Sequence, residues 1–396
     1  MHSPASVLTR HSETEIKNFC LHYALENDIP LAFWRLPGSS VRYLILARQC
    51  RALDKSETIE ELATGFMFAP FDPAKQGLYL QADYLFAFEN GKVRNPESQL
   101  ETDSTEWLAE KIYQQPLPQA LRLKSPGSAL QNNSADYLLL VEKCIAQVEK
   151  GLLEKVVPSR SRTVELPEDF DVTEAFEKLC SRYNNALVSY VSIPGTGNWM
   201  GATPEALVSV EDQKIFRTVA LAGTMPYHEG INLKSIAWTQ KEIEEQALVE
   251  RYEISCFKKI RLREYDEHGP RTMVAGNLVH LKSDFTVDLK ATNFPQLGSV
   301  MLQLLHPTSA VCGMPLEGAL AFLKENEGYD REFYSGYLGP VNVNNNIDLF
   351  VNLRCMKLLE NRAVLFAGAG VTVDSDPSTE YEETEMKFNT LLNVIL

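Results

Sequence analysis

Among its 396 residues the chain has no CxxC pair, and positive charge is scarce: 38 lysines and arginines face 53 aspartates and glutamates. No apolar run approaches the ~18 residues of a membrane span. No charged-then-apolar leader follows Met1-His2-Ser3-Pro4, and no internal repeat stands out. Each shortage excludes something. The seven cysteines (Cys20, Cys50, Cys144, Cys180, Cys256, Cys312 and Cys355) are scattered and odd in number. That argues against a disulfide framework or a zinc site, and for free thiols in a reducing compartment. A net charge of −15 argues against nucleic acid and an anionic membrane surface as partners. The expectation is a cytoplasmic protein in which any anionic substrate meets a local positive site. The rest is ordinary: 44% apolar and 23% charged residues, enough for a core of normal size.

The chain is organised around a stretch near its C-terminus, Gly368-Ala369-Gly370-Val371-Thr372-Val373 followed by Asp374-Ser375-Asp376-Pro377 and Ser378 to Lys387. It reads as strand, turn, helix, with the β-branched run ending at Val373. Asp376 suits a helix N-cap, and Pro377 suits the first helical position, where no N–H is needed. Glu380, Glu383 and Lys387 then share one helix face. A lone ExxE face is commonly just solvated. Here a second one, Glu242 and Glu245, lies in another helical run, and two such faces can hold one hard divalent ion such as Mg²⁺. Thr239 and Glu242 can instead form a capping box, which leaves Glu245 the better ligand.

The remaining segments are read in order. Residues 1–135 read as scaffold, with a helix over 13–27 and strands at 42–46 and 78–80. Asp136 to Lys150 reads as an amphipathic helix with Leu138, Val141, Ile145 and Val148 inward, stopped by Gly151. Lys155 enters an apolar strand; it either points to water from an edge or, buried, sheds its proton and acts as a base. Two strands run from Ala186 to Val210 through a Pro194–Asn198 turn, whose Gly195-Thr196-Gly197 lacks the Gly-Lys-Ser/Thr of a phosphate loop. Glu205 stands in the second of these among small and apolar neighbours, where a carboxyl is costly to ionise, or else at a strand end on the surface. The small-residue strand Thr218–Thr224 suits close approach by a ligand or tight packing. His306 lies in a breaker-rich loop before a helix from Pro315 to Glu327. Tyr334–Gly339 reads as a strand, and Ile347–Leu358 with Ala363–Val373 as a hairpin. Arg354, in the middle of an apolar strand, needs a partner, and an anionic ligand is one candidate.

These blocks together resemble the chorismate-binding enzymes: isochorismate synthase, salicylate synthase, and the large subunits of anthranilate and aminodeoxychorismate synthases. The resemblance covers about 150–396. It rests on Lys155-Val156-Val157, Gly201-Ala202-Thr203-Pro204-Glu205, Ala220-Leu221-Ala222-Gly223-Thr224, the helix from Lys241 to Val249, His306-Pro307-Thr308, Tyr334-Ser335-Gly336, Arg354, Ala367-Gly368-Ala369-Gly370, and Ser375 through Lys387. It implies one large α+β domain like that of aminodeoxychorismate synthase, two packed β-sheets flanked by helices in α/β/β/α layers. Residues 1–135 would be the N-terminal scaffold part of that fold and 136–396 its catalytic region.

Carried over position by position, the resemblance makes Glu245 and Glu383 direct Mg²⁺ ligands, and Glu242 and Glu380 carboxylates that hold the metal's waters. Arg354, Lys387 and the backbone at Gly368 and Gly370 match groups that bind the substrate carboxylates. Gly223, His306 and Tyr334 match pocket residues around the ring. Lys155 matches a lysine that activates water, and Ala222 stands where many aminodeoxychorismate synthases carry a nucleophilic lysine; together they favour water over ammonia. Glu205 is the matching acid. The expectation is a Mg²⁺-dependent isochorismate synthase acting on chorismate for menaquinone or siderophore synthesis, with no obligatory glutaminase subunit. Salicylate synthase is the nearest rival, and a non-catalytic chorismate-binding protein a remote one. Departures from the family pattern include Met225-Pro226-Tyr227-His228, Gln246 in place of a histidine, Glu332 and Ser335 within the Tyr334 block, Phe366, and Val157-Pro158.

Overall fold

The computed structural model describes residues 11–94, 104–114, 134–227, 232–275 and 278–396. Its centre is a pair of nine-stranded antiparallel sheets. In spatial order the first runs Lys92–Arg94, Tyr84–Glu89, Arg42–Leu46, Leu31–Arg35, Leu187–Ile193, Gly197–Thr203, Cys355–Leu358, Arg362–Gly368 and Ser159–Glu165. The second runs Asp266–Ala275, Leu278–Asp288, Ile215–Pro226, Ala206–Glu211, Ile347–Val351, Tyr337–Val341, Gly65–Ala69, Leu78–Gln81 and Cys50–Ala52. N-terminal strands therefore form one end of each sheet and later strands the other.

Strand periodicity explains the layers. In Leu31–Arg35, Leu31 and Phe33 face the helices while Ala32 and Trp34 face the other sheet; both sets are fully buried. Successive side chains point to opposite faces, so a strand covered on both sides reads as an unbroken apolar run. Trp34, Phe66, Phe68, Trp199 and Phe366 fill the space between the sheets. Helices Glu13–Glu26, Ser104–Gln114, Val172–Arg182 and Pro377–Ile395 cover the first sheet. Helices Ser134–Glu149, Gln240–Lys259, Leu297–Leu305 and Leu316–Asn326 cover the second. This is the expected α/β/β/α arrangement. All seven cysteines are free. Among the described residues no helix is long and apolar enough to cross a membrane.

Several local expectations change. The C-terminal helix starts as expected: Asp376 is its N-cap and accepts from the Thr379 N–H at 2.9 Å, with Pro377 in the first turn. The strand before it ends at Gly368 rather than Val373. In Ser134–Glu149 the fully inward side chains are Tyr137, Leu140, Val141 and Cys144, whereas Leu138, Ile145 and Val148 are half-buried. Tyr334 to Gly336 form a turn, and the strand begins at Tyr337.

The most consequential change concerns two strands expected to run on unbroken. Gly197–Thr203 belongs to the first sheet and Ala206–Glu211 to the second, so the chain crosses between sheets at Pro204-Glu205. Ile347–Val351 belongs to the second sheet and Cys355–Leu358 to the first, so the chain crosses back at Asn352-Leu353-Arg354. Arg354 is thus at a break, with φ of 47°, not in mid-strand. The crossings brace each other: the Val351 N–H donates to the Glu205 carbonyl at 2.9 Å, and the Ala202 N–H donates to the Arg354 carbonyl at 3.0 Å.

Candidate active site

The crossings aim Glu205 and Arg354 into one cleft between the sheets. Its walls also carry Gly223, Glu245, Tyr334, Gly368, Gly370 and Lys387. Eight of the expected site residues, distant in sequence, therefore line a single space.

Glu205 is buried at 5% exposure. Burial raises its pKa to about 7, against the opposing pull of Lys155, Arg354 and Lys387. Moving a carboxyl from 4.5 to about 7 corresponds to roughly 3 kcal/mol of disfavoured ionisation, which makes Glu205 a proton donor near neutrality. Arg354 is also buried, and its Nη1 has no hydrogen-bond partner among the described residues. Burial lowers its pKa from the usual value. A guanidinium with a vacant donor, held on left-handed backbone that only a packed environment sustains, is a natural anchor for an anion.

Lys155 is fully buried, in a two-residue strand paired with Gly313–Met314. Its Nζ donates to Glu245 Oε1 at 2.8 Å, and Glu245 lines the cleft, so Lys155 stands one contact behind the wall. Gly370 packs over this pair. A Cβ there would fall 2.5 Å from Glu245 Oε1 and 3.0 Å from Lys155 Cε. Gly370→Ala should therefore push lysine and carboxylate apart, and a misplacement approaching 1 Å costs about 10²-fold in rate. Thermal melting with a steady-state assay checks it: a fall in kcat far larger than any loss of Tm is the expected outcome.

The four expected metal carboxylates sit on two helices, Glu242 and Glu245 on Gln240–Lys259, Glu380 and Glu383 on Pro377–Ile395. As the side chains stand, no three acidic, histidine or cysteine ligands converge among the described residues. Lysines intervene: Lys241 pairs with Glu380 at 2.5 Å, Lys387 with Glu383 at 2.6 Å, and Lys155 with Glu245. Glu242 instead accepts from the Thr239 hydroxyl. Thr239 is the N-cap residue, but its side chain does not bond the helix backbone, so the expected capping box is not formed. Burial raises the pKa of Glu245, but the ammonium groups of Lys155, Lys241 and Lys387 more than offset this and the net shift is downward. Glu380 is fully buried, its pKa is raised by burial and then by Glu383, and its Oε2 has no partner among the described residues. A buried carboxylate oxygen without a donor among the described residues, with Glu383 acting on the same carboxylate, fits the donor chemistry of a hard cation.

Lys387 Nζ also donates to the Gly368 carbonyl at 2.7 Å, which fixes it across the cleft from Glu205. Tyr334 lines the cleft with its ring stacked on Phe366, centroids 5.4 Å apart. Gly223 has φ of 67° at a bulge in its strand and approaches the helix bearing Glu242; a Cβ would lie 3.1 Å from the Glu242 Cβ.

His306 is not brought to this cleft. Its Nε2 meets the Pro70 carbonyl at 2.9 Å and its ring packs edge-on to Tyr337, lining a separate cavity. The histidine in the cleft is His280. Its Nδ1 donates to the Gly223 carbonyl at 2.9 Å, so Nε2 is left as an acceptor, buried and without a partner among the described residues. Burial lowers its pKa to about 3, and the ring is neutral. In the sequence it is inconspicuous, because His280, Lys282, Asp284 and Thr286 alternate with Leu281, Ser283, Phe285 and Val287 and resemble the wet face of a strand.

A family model described as "chorismate binding enzyme" matches residues 73–396. The chain belongs to the chorismate-binding enzymes. Relatives within that family include the isochorismate synthase EntC of Escherichia coli strain K12, 30% identical over 260 residues. That match covers 64% of this chain and 66% of EntC, just under two thirds of its length. The vibriobactin-specific isochorismate synthase of Vibrio cholerae is 27% identical over 361 residues, 89% of this chain and 85% of that one. Among solved structures, the menaquinone-specific isochorismate synthase MenF of Escherichia coli superposes with a TM-score of 0.71 at 21% identity, covering 93% of this chain and 89% of MenF. That likeness bears on the family's fold.

Proposed function

We infer that this chain is an isochorismate synthase, which replaces the C4 hydroxyl of chorismate with a hydroxyl from water at C2. The observation that carries the reading is a buried carboxyl with a pKa near 7, Glu205, in one cleft with a vacant guanidinium and a lysine-paired carboxylate. Arg354 and Lys387 hold the substrate carboxylates, and the His280 Nε2 accepts from a ring hydroxyl. Lys155 acts here as the neutral amine: with its ammonium proton released to solvent and the ion pair to Glu245 given up, it takes a proton from water as the water oxygen bonds to C2. Both ring double bonds shift, the C4–O bond breaks, and Glu205 gives its proton to the departing hydroxyl, so one water enters and one leaves. Acid and base must be driven apart in pKa for this exchange. Mg²⁺ held by Glu245 and Glu383, with Glu242 and Glu380 on its waters, would supply positive charge for the ring carboxylate. Relatives serve menaquinone and siderophore routes, and the product here feeds one of them.

The pH profile follows from Glu205. The acid form is active, so kcat/KM should fall tenfold per pH unit above about 7, not above the ordinary glutamate value. A flat profile from pH 6 to 9 contradicts the assignment.

The deciding experiment incubates the purified chain with chorismate and Mg²⁺, with and without ammonium, and separates the products. Isochorismate in a reversible mixture with chorismate, unaffected by ammonium and lost with a chelator, is expected. Salicylate with pyruvate would move the product assignment, and an amino product would remove water as the nucleophile.

A further inference from the structure

A second cavity of about 320 Å³ lies on the helix-covered side of the second sheet and shares no lining residue with the catalytic cleft. Its size falls within the roughly 300–1,000 Å³ of small-molecule pockets. Leu53, Ile59, Met67 and Leu302 give it apolar walls, and Tyr337 and His306 contribute rings set edge to face at 4.8 Å.

Three polar groups in its lining are left with unused capacity. His306 meets the Pro70 carbonyl through Nε2, so that nitrogen carries the hydrogen and Nδ1 is an acceptor, with no partner among the described residues. Burial lowers its pKa to about 4, which keeps the ring neutral. The Tyr337 hydroxyl likewise has no described partner, although its residue is largely buried; Gly77 lies beside it, where a Cβ would be 3.8 Å away. At the rim, Lys55 Nζ donates only to the Pro73 carbonyl at 3.1 Å and faces no described carboxylate within ion-pair distance. The other rim charges are engaged: Glu57 with Arg51, Lys75 with Asp330, and Asp54 with the Ser56 N–H and hydroxyl.

An apolar slot flanked by rings, an acceptor and a donor at depth, and one unmatched cation at the mouth describe a specific kind of guest. We propose that this cavity binds a hydroxylated aromatic monocarboxylate, with its ring against Tyr337, its hydroxyl on His306 Nδ1 and its carboxylate on Lys55. Two segments join the cavity to the catalytic cleft. His306 begins a loop whose Ala310 and Val311 line the cleft, and Thr308 between them acts on Glu205. Tyr337 follows the turn that carries Tyr334 into the cleft. A guest that fixes both rings therefore alters the walls around the acid and changes kcat without competing with chorismate. This kinetic consequence rests on the proposed function; the binding does not.

Isothermal titration of the full chain with 3-hydroxybenzoate tests the site. Saturable binding is expected. It should weaken roughly tenfold or more in Lys55→Ala, which loses a charge-assisted bond. It should also weaken in Tyr337→Phe, and persist in Arg354→Gln, which disables the catalytic cleft. No saturable heat overturns the proposal. So does binding that survives Lys55→Ala but is lost in Arg354→Gln, which would put the acid in the cleft. Inhibition competitive with chorismate overturns the coupling. If chorismate is not turned over at all, the activity assignment fails while the titration still decides the site.

Discussion

Glu205→Gln should lower kcat by about 10³-fold while leaving chorismate binding nearly intact. Gln keeps the shape and a hydrogen-bond donor but cannot release a proton, and general acid catalysis contributes typically 10²–10⁴-fold. The loss should appear in kcat because the departing hydroxyl needs the proton only in the transition state. A stability readout separates this from damage to the fold. The folded-state pKa of Glu205 lies above its unfolded value. Its stabilising contribution is full at pH below 4.5 and declines as pH rises through about 7. The amide does not titrate, so above pH 7 the variant should melt no lower than the parent, with up to roughly 3 kcal/mol removed from the burden of a buried charge. A variant that retains most of its turnover would remove Glu205 from the chemistry.

Lys155→Gln is expected to be as severe for turnover and to cost stability as well. An amide can donate to Glu245 but cannot take the water proton, so about 10²–10⁴-fold in kcat should be lost. The lysine is fully buried and bonded to Glu245 at 2.8 Å. Removing one partner of a buried pair commonly costs about 3–5 kcal/mol. Lys241 and Lys387 also act on Glu245 and should hold the loss toward the lower end. Added ammonium or small amines should not restore the parent product. Denaturant unfolding beside single-turnover kinetics gives both quantities. Parent-like turnover together with reduced stability would make Lys155 purely structural.

The two variants differ in a way that follows from where the residues sit. Glu205 lies on a crossing between sheets with its carboxyl in the cleft, and losing its charge relieves a burden. Lys155 lies behind the wall and neutralises a carboxylate, and losing its charge creates one.

Much of this arrangement was legible in the sequence where local chemistry decides structure. Asp376 and Pro377 announced the C-terminal helix because capping needs only neighbours. The helix read over 13–27 is found at Glu13–Glu26, because Ile16, Phe19, Cys20 and Tyr23 recur at helical spacing. The sheet crossings were hidden: apart from Glu205, Asn352 and Arg354, the residues from Gly201 to Leu207 and from Phe350 to Met356 are small or apolar, and a strand leaving one sheet for another has the same composition as one that continues. What betrays the crossing is long-range pairing, of Gly197–Thr203 with Cys355–Leu358 and of Ala206–Glu211 with Ile347–Val351. Arg354 stood out as a charge in an apolar run, but its left-handed backbone did not. For the histidines, His306 drew attention in a breaker-rich loop, while His280 lay in a pattern that normally faces water. It lines the cleft because its strand packs there, which the alternation of residues along the chain does not encode.

The paired crossings also govern how the molecule is assembled. Neither sheet holds Glu205 or Arg354 by itself; each is placed by strands from both, locked by bonds between Val351 and Glu205 and between Ala202 and Arg354. Contacts of such wide sequence separation form late, after loop closure has been overcome. A partly folded chain can therefore own most of its secondary structure and still have no place for a substrate, and recovered turnover reports the final docking of the sheets rather than the formation of either one.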